Sequence, residues 1–198
     1  FTITLIFSGS YNSAMNAKEM IEEANPDANI TVIDSKQNTV TQALIIDQMV
    51  RMRDAGISFE DSLKKLEPLM ASARIFFTVG SLDYLKMGGR IGKLASIASK
   101  IDVKPVIIMK DGDISLGGIG RNRNKLKAKV LSTAKAYLDE NGKDNFVVSV
   151  GYGYDKTEGV SFMNDVEETL GVKLNSETNV AIGIVSGVHT GPHPIGLG

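Results

Sequence analysis

The first seven residues alternate apolar side chains with threonine, and residues 29–34 repeat this pattern. Alternation of this kind predicts a β-strand in each segment. Apolar residues then recur every three or four positions, which predicts helices over residues 11–24, 39–55 and 58–72. A continuous apolar run predicts a further strand over residues 74–79. This order of elements is typical of a parallel sheet flanked by helices.

After Gly80 the segments become shorter and more mixed. The pattern predicts helices over residues 82–87, 92–101, 121–140 and 157–170, and strands over residues 106–109, 114–116, 146–150 and 180–185. Asp111 and Gly112 lie between two of these strands and favour the positive φ angles of a type I′ turn. The second part of the chain therefore predicts a mixed or antiparallel sheet with helices.

Glycine is unevenly distributed between these two parts. The chain has 198 residues and 20 glycines, and only Gly9 and Gly56 fall before residue 80. Together with the change in pattern, this predicts two α/β domains, over residues 1–73 and 74–198. A sheet domain seldom begins on a buried strand, so we expect the first domain to lack an N-terminal portion.

Composition narrows the function classes. Lys and Arg number 22 and Asp and Glu 23, a net charge of −1, which gives no reason to expect a nucleic-acid partner. The absence of cysteine excludes thiol catalysis and cysteine-ligated metals. No apolar run approaches the roughly 18 residues of a membrane span, and the start of the chain lacks the basic region of a secretory signal. We expect a cytoplasmic protein.

Ser8, Gly9 and Ser10 lie at a turn from a predicted strand into a helix. Unpaired N–H groups and a positive dipole end at such a turn favour a carboxylate or phosphate. Serine is also a common helix cap, so capping alone remains an alternative.

The segment at residues 87–93 (MGGRIGK) resembles a phosphate-binding P-loop but departs from its pattern. The first glycine would fall on Met87, and Leu94 replaces the Ser or Thr that holds magnesium. A helix end followed by a new helix start explains the segment better.

Basic residues alternate from Arg121 to Lys129 at the start of a long predicted helix. They suit a solvated helix, or a stripe that docks an acidic partner. Arg121 and Arg123 oppose the helix dipole there, so their position needs a reason. DNA binding by this helix is disfavoured by the absence of interleaved aromatic residues.

His189 and His193 are the two histidines of the chain, and Pro192 and Pro194 exclude a helix that would place them on one face. Without an acidic neighbour they do not predict a metal site. His189 in such a loop is either a hydrogen-bond donor to an anion or a loop residue without a ligand role. The chain has no Gly-x-Ser-x-Gly elbow and no paired carboxylates that would predict an enzyme.

Six motifs in order resemble the DegV family of bacterial fatty-acid-binding proteins. They are SGSYNSA at residues 8–14, VIDS at 32–35, DYLKMGGRIGK at 83–93, VKPVI and KDG at 103–112, an R-x-R at 121–123 and HTGP at 189–192. They extend over nearly the whole chain, and the GGRIGK and HTGP segments carry most of the resemblance.

The resemblance implies two α/β domains that hold one long-chain fatty acid between them. The carboxylate of this acid would be presented to a separate kinase for acyl-phosphate formation. This chain would then be a binding protein without catalytic residues, metal or cofactor. Its carboxylate-binding residues would be Ser8, Gly9, Ser10, His189 and Thr190. Ligand- or partner-facing residues would be Gly89, Arg90, Arg121 and Arg123. A regulatory protein that binds another small molecule or a nucleotide on the same scaffold is the alternative.

The chain departs from the family pattern at two places. Nothing in it matches the βαβ portion that the family has before the first motif, including a threonine that helps to hold the carboxylate. His193 and Pro194 follow HTGP where the family has Gly-Ala.

Overall fold

The computed structural model describes residues 1–96, 104–174 and 179–198. Its α-helices in these ranges are α1 Ser10–Ala24, α2 Thr39–Asp54, α3 Phe59–Ser72, α4 Asp83–Met87, α5 Arg123–Asn141, α6 Lys156–Leu170 and α7 Ile184–Thr190. The strands are β1 Ile75–Thr78, β2 Lys104–Lys110, β3 Asp113–Gly120, β4 Val150–Tyr152, β5 Val180–Ala181 and β6 Ile195–Leu197. Short 3-10 helices cover Gly92–Ser96 and Lys143–Asn145.

The strands form one sheet in the order β3-β2-β1-β6-β4-β5. Neighbouring strands are antiparallel except for the parallel pair β4 and β5. This confirms the α/β class and the mixed sheet that the sequence predicts for the second part of the chain. The predicted division into domains at residues 73 and 74 stays a prediction.

Side chains that alternate along the central strands build two separate cores, because successive residues of a strand point to opposite faces. One face packs against α5 and α6 and contains Phe76, Val106, Leu126, Val130, Phe162 and Leu197. The opposite face contains Ile75, Val79, Leu85, Leu94, Ile107, Met109 and Ile114. The second face adjoins the candidate site.

The hairpin between β2 and β3 confirms the turn prediction. Asp111 and Gly112 have φ angles of 52° and 85°, as a type I′ turn requires. Buried Thr4 donates from its hydroxyl to the carbonyl of Gly112 across 3.0 Å, so the first segment of the chain is fixed to this turn.

The two strands predicted at residues 1–7 and 29–34 are wrong in extent, since one parallel bridge between Thr2 and Asp34 stands in their place. The chain turns immediately after this bridge. The N–H of Thr4 donates to Gln37 O and the N–H of Phe7 donates to Thr4 O, each across 3.0 Å. A turn at Thr4 ends the pairing that the alternating pattern would otherwise extend.

The end of the chain also differs from the prediction. The strand expected over residues 180–185 ends at Ala181, and α7 follows, so His189 lies on a helix and not in a loop. Pro192 does not prevent this, because α7 has already ended at Thr190, before Gly191 with φ 77°. Strand β6 was not predicted.

The helix predicted over residues 92–101 is a 3-10 helix at Gly92–Ser96, and its remaining part lies outside the described residues.

Candidate functional site

A cleft of about 200 Å³ opens beside the second core. Its walls are mainly apolar and come from the start of the chain, the central strands and α4. They include Phe7, Ile75, Phe77, Leu85, Met109 and Ile114. Such walls favour an apolar group, because each CH₂ removed from water contributes about 0.8 kcal/mol.

Polar groups gather at one part of this cleft. Ser8, Arg90, His189 and Thr190 line it, although they come from three separate positions along the chain. All four residues are predicted from the sequence, and the fold brings them together. The cleft is therefore amphipathic, with a polar cluster beside an apolar wall.

Ser8 contributes through the start of α1. Its Oγ accepts a hydrogen bond from the N–H of Ser10, the first residue of α1, at 3.2 Å. The N-cap residue is Gly9, so Ser8 precedes the cap and does not form it. Gly9 is exposed and does not line the cleft, and neither does Ser10. The Oγ of Ser10 is nevertheless buried and has no hydrogen-bond partner among the described residues.

Arg90 connects two segments at the polar cluster. Its Nε donates to the carbonyl of Phe7 at 3.1 Å, and its Nη1 donates to the carbonyl of Gly88. The side chain is half-buried, and within the described ranges no carboxylate forms an ion pair with it. Arg90 therefore brings a positive charge into the cleft that the structure leaves available to an anion.

His189 reaches the cleft from α7, which packs against α4. Its Nδ1 is buried and has no hydrogen-bond partner within the described residues. The ring lies directly over Gly88, where an added Cβ would overlap Nδ1 and stand 3.0 Å from Cε1. The neighbouring Thr190 hydroxyl donates to Ser186 O at 3.0 Å, within the same helix.

A further part of the cleft was missed in the sequence. Asn38, Thr39 and Val40 at the start of α2 line it, together with Gly151 and Ile182. The Oδ1 of Asn38 accepts from the N–H of Thr39 at 2.7 Å, a cap that the sequence pattern of a helix start does suggest. Nothing in the sequence indicates that this helix start faces the cleft.

Besides Gly9 and Ser10, three more predicted residues lie away from the cleft lining. Gly89 is exposed with φ 70°, and Arg121 is exposed just before α5. Arg123 forms a bidentate ion pair with Glu158 of α6. Its Nε donates to Oε1 at 2.7 Å and its Nη2 donates to Oε2 at 2.8 Å. These hydrogen bonds lower the pKa of Glu158 below its ordinary value, against the opposing effect of burial. The pair explains why a cation begins this helix.

The arrangement suits an amphipathic anion. Arg90 supplies charge, Ser8 and His189 supply hydrogen-bonding groups, and the wall supplies apolar contact. Within the described residues no cluster of His, Asp and Glu could hold a metal ion. None of the helices in the described ranges has the length and apolar content needed to cross a bilayer.

The family model of the DegV proteins, described as uncharacterised, matches residues 1–198. The chain belongs to the DegV family. A DegV domain-containing protein of Clostridium acetobutylicum is 29% identical over 197 residues, which is 98% of this chain and 69% of that protein. A Staphylococcus aureus member is also 29% identical, and the match covers 65% of it. The chain thus spans about two thirds of these DegV relatives.

Solved structures of DegV-type proteins share the fold. A stearic acid-binding protein from Eubacterium ventriosum is 76% identical with a TM-score of 0.97, over 100% of this chain and 68% of that one. The fatty acid kinase B3 protein of Streptococcus pneumoniae, loaded with linoleic acid, is 21% identical with a TM-score of 0.81, over 99% of this chain and 68% of that one. At 21% identity the likeness concerns the fold alone.

Proposed function

We propose that this DegV protein binds a long-chain fatty acid, with the acyl chain along the apolar wall and the carboxylate at the polar cluster. The observation that carries this proposal is the convergence of Ser8, Arg90 and His189 on one apolar cleft. The 76% identity to a stearic acid-binding protein supports the same ligand class.

The apolar wall accounts for the larger part of the binding free energy. A dozen buried CH₂ groups would contribute about 10 kcal/mol before the costs of ordering the chain and fixing its position. The polar cluster then fixes the orientation of the ligand. A carboxylate that leaves water loses its hydration, and this costs free energy unless hydrogen-bond donors replace the water.

The carboxylate would meet donors from both sides of the cleft. From one side comes the hydroxyl of Ser8, which accepts from the N–H of Ser10 and so keeps its own hydrogen to donate. Gly9 and Ser10, which do not line the cleft, would act through the positive end of α1. From the other side comes His189, and Thr190 would join it by turning its hydroxyl away from Ser186 O. Arg90 connects the two sides, because it donates to the carbonyl of Phe7, which precedes Ser8, and to the carbonyl of Gly88, which contacts His189.

We further propose that the protein presents this carboxylate to a separate acyl kinase, which forms the acyl phosphate. The chain itself would bind and orient the acid, and the phosphoryl transfer would belong to the partner. Exposed Gly89 and Arg121 would face the ligand or this partner. The contact with Glu158 would keep Arg123 at the start of α5. A cytoplasmic location stays a prediction from the sequence.

Extraction of the purified protein under denaturing conditions, followed by mass spectrometry, tests the binding proposal. We expect a long-chain fatty acid in the extract, and rebinding of stearate after delipidation. An extract without fatty acid, together with no rebinding, would contradict the proposal. A thermal-shift series with nucleotides in parallel tests the regulatory alternative, which predicts stabilisation by a nucleotide and none by stearate.

The Ser8→Ala variant tests the polar cluster, with Ser132→Ala on the exposed face of α5 as its matched control. We expect weaker stearate binding for Ser8→Ala and unchanged binding for Ser132→Ala. Equal affinities of the two variants would remove Ser8 from the site. The kinase step is tested by acyl-phosphate formation with a purified acyl kinase, and no product from a stearate-loaded protein would contradict it.

A further inference from the structure

Gly88 does not need to be glycine for its backbone conformation. Its φ and ψ angles are −75° and −5°, in the right-handed helical region that any L-residue adopts. What excludes a side chain is the imidazole of His189, since a Cβ on Gly88 would overlap Nδ1 and stand 3.0 Å from Cε1 and 3.2 Å from Cγ. Glycine at position 88 therefore leaves free the space that the His189 ring occupies.

The contact also orients the ring. The Cα–H bond of Gly88 that occupies the place of a Cβ points at Nδ1 of His189. A lone pair on Nδ1 accepts such a C–H group weakly, whereas an N–H at the same place would meet it hydrogen to hydrogen. Nδ1 is buried and has no other partner among the described residues, so an N–H there would also be an unsatisfied donor. The neutral imidazole then carries its proton on Nε2.

Gly88 also contacts Arg90, the cationic side chain of the polar cluster. Its carbonyl accepts from Nη1 of Arg90. Gly88 thus contacts His189 through its Cα–H and Arg90 through its C=O. An analogous contact lies two residues beyond His189, where a Cβ on Gly191 would stand 2.6 Å from the ring of Tyr84. Through these two contacts the end of α7 packs against α4.

We infer that Gly88 is a positioning residue that fixes His189 as a neutral donor through Nε2–H and leaves Arg90 to supply the positive charge. The role of Nε2 toward a carboxylate rests on the proposed function. The orientation and tautomer of the ring do not, because they follow from contacts within the protein.

Nitrogen-15 NMR of histidine-labelled protein at neutral pH tests the tautomer directly. Nitrogens with a lone pair and with a hydrogen give well separated resonances, and the His193→Gln variant assigns the two histidines. We expect Nδ1 of His189 to carry the lone pair and Nε2 the hydrogen. A proton on Nδ1, in either the neutral or the charged ring, would overturn the inference. This measurement needs no ligand.

A double-mutant cycle tests the positioning role. Gly88→Ala should lower the thermal midpoint and weaken stearate binding roughly ten- to hundred-fold, the effect of losing one hydrogen bond to a charged group. In the His189→Ala background the same substitution should change neither quantity, because the ring that collides with the new methyl group is gone. Gly187→Ala is the matched control in α7, since a Cβ there meets nothing within 4 Å.

Equal effects of Gly88→Ala with and without His189 would overturn the inference. If the single variant fails to fold, recovery of a folded double variant supports it, and failure of both overturns it. Absence of stearate binding in the wild-type protein would count against the proposed function only, because the thermal midpoints and the NMR spectrum still decide the role of Gly88.

Discussion

Replacement of Glu158 by glutamine tests how strongly α5 and α6 are joined at their first turns. Glu158 lies in the first turn of α6 and Arg123 is the first residue of α5. Their two hydrogen bonds measure 2.7 and 2.8 Å, and Lys127 Nζ stands 3.9 Å from the same carboxylate. The variant keeps the shape of the side chain and removes its charge.

The exposure of the two side chains sets the magnitude. Arg123 is 26% exposed and Glu158 is 20% exposed, so the pair lies between a surface pair and a buried pair. A surface pair contributes about 0.2–1 kcal/mol, and breaking a buried pair costs about 3–5 kcal/mol. We expect Glu158→Gln to cost about 1.5 kcal/mol, which for a chain of this size lowers the thermal midpoint by about 3–6 °C.

The pH dependence gives a second readout. Arg123 lowers the pKa of Glu158 in the folded protein, so the ionised carboxylate is favoured by folding. Its stabilisation is fully present above the ordinary value of 4.5 and is lost as the pH falls through the lower, folded-state value. The difference between wild type and Glu158→Gln should therefore be largest at neutral pH and shrink on acidification.

Thermal unfolding of both proteins across this range is the assay, with Asp139→Asn as control. Asp139 pairs with Lys135 on the exposed surface of α5, where both side chains are about half exposed, so its loss should cost less than about 0.5 kcal/mol. Equal midpoints of Glu158→Gln and Asp139→Asn, or a difference that persists in acid, would refute the reasoning.

Three further substitutions probe the core, the hairpin and the cleft. Phe162→Ala should lower stability by about 3–5 kcal/mol in denaturant unfolding, because the ring is fully buried, and a loss below 1 kcal/mol would contradict the packing. Thr4→Val should cost about 1–2 kcal/mol in the same assay, since the carbonyl of Gly112 loses its buried donor, whereas Thr2→Val should cost less. Arg90→Gln should weaken stearate binding at least about ten-fold in a titration, and unchanged affinity would remove the guanidinium from the site.

Local patterns predict the elements whose signals lie within a few neighbouring residues. The Asp111-Gly112 turn needs only two residues with positive φ, and both are present. Helix α6 is capped by Asp155, whose Oδ1 accepts from the N–H groups of Thr157 and Glu158. Such signals are complete in the sequence.

Elements that depend on distant partners are not predicted in this way. The alternation at residues 1–7 is a local signal for a strand, but pairing there ends at Thr4 because Gln37 and Gly112 capture its polar groups. Strand β6 has three residues, and its pairing with β1 and β4 is decided by segments more than 40 residues away.

The residues of the candidate site can be predicted from local motifs, but the contacts between them cannot. Ser8, Arg90 and His189 were singled out because they belong to recognisable motifs. The contacts that arrange them, Arg90 to Phe7 O and His189 to Gly88, join residues 83 and 101 positions apart, and no local pattern carries that information. The start of α2 was missed for the same reason.

The position of β6 has a consequence for how the protein is made. Among the described strands, β6 alone connects the β3-β2-β1 half of the sheet to the β4-β5 half, yet it is formed by residues 195–197. During synthesis the ribosome releases these residues after the other strands that the structure describes, so the central hydrogen-bond ladder cannot close until then. Contacts between residues this far apart also slow folding. Until β6 is added, a newly made chain therefore exposes the unpaired edges of β1 and β4. Such edges are bound by chaperones or lead to aggregation.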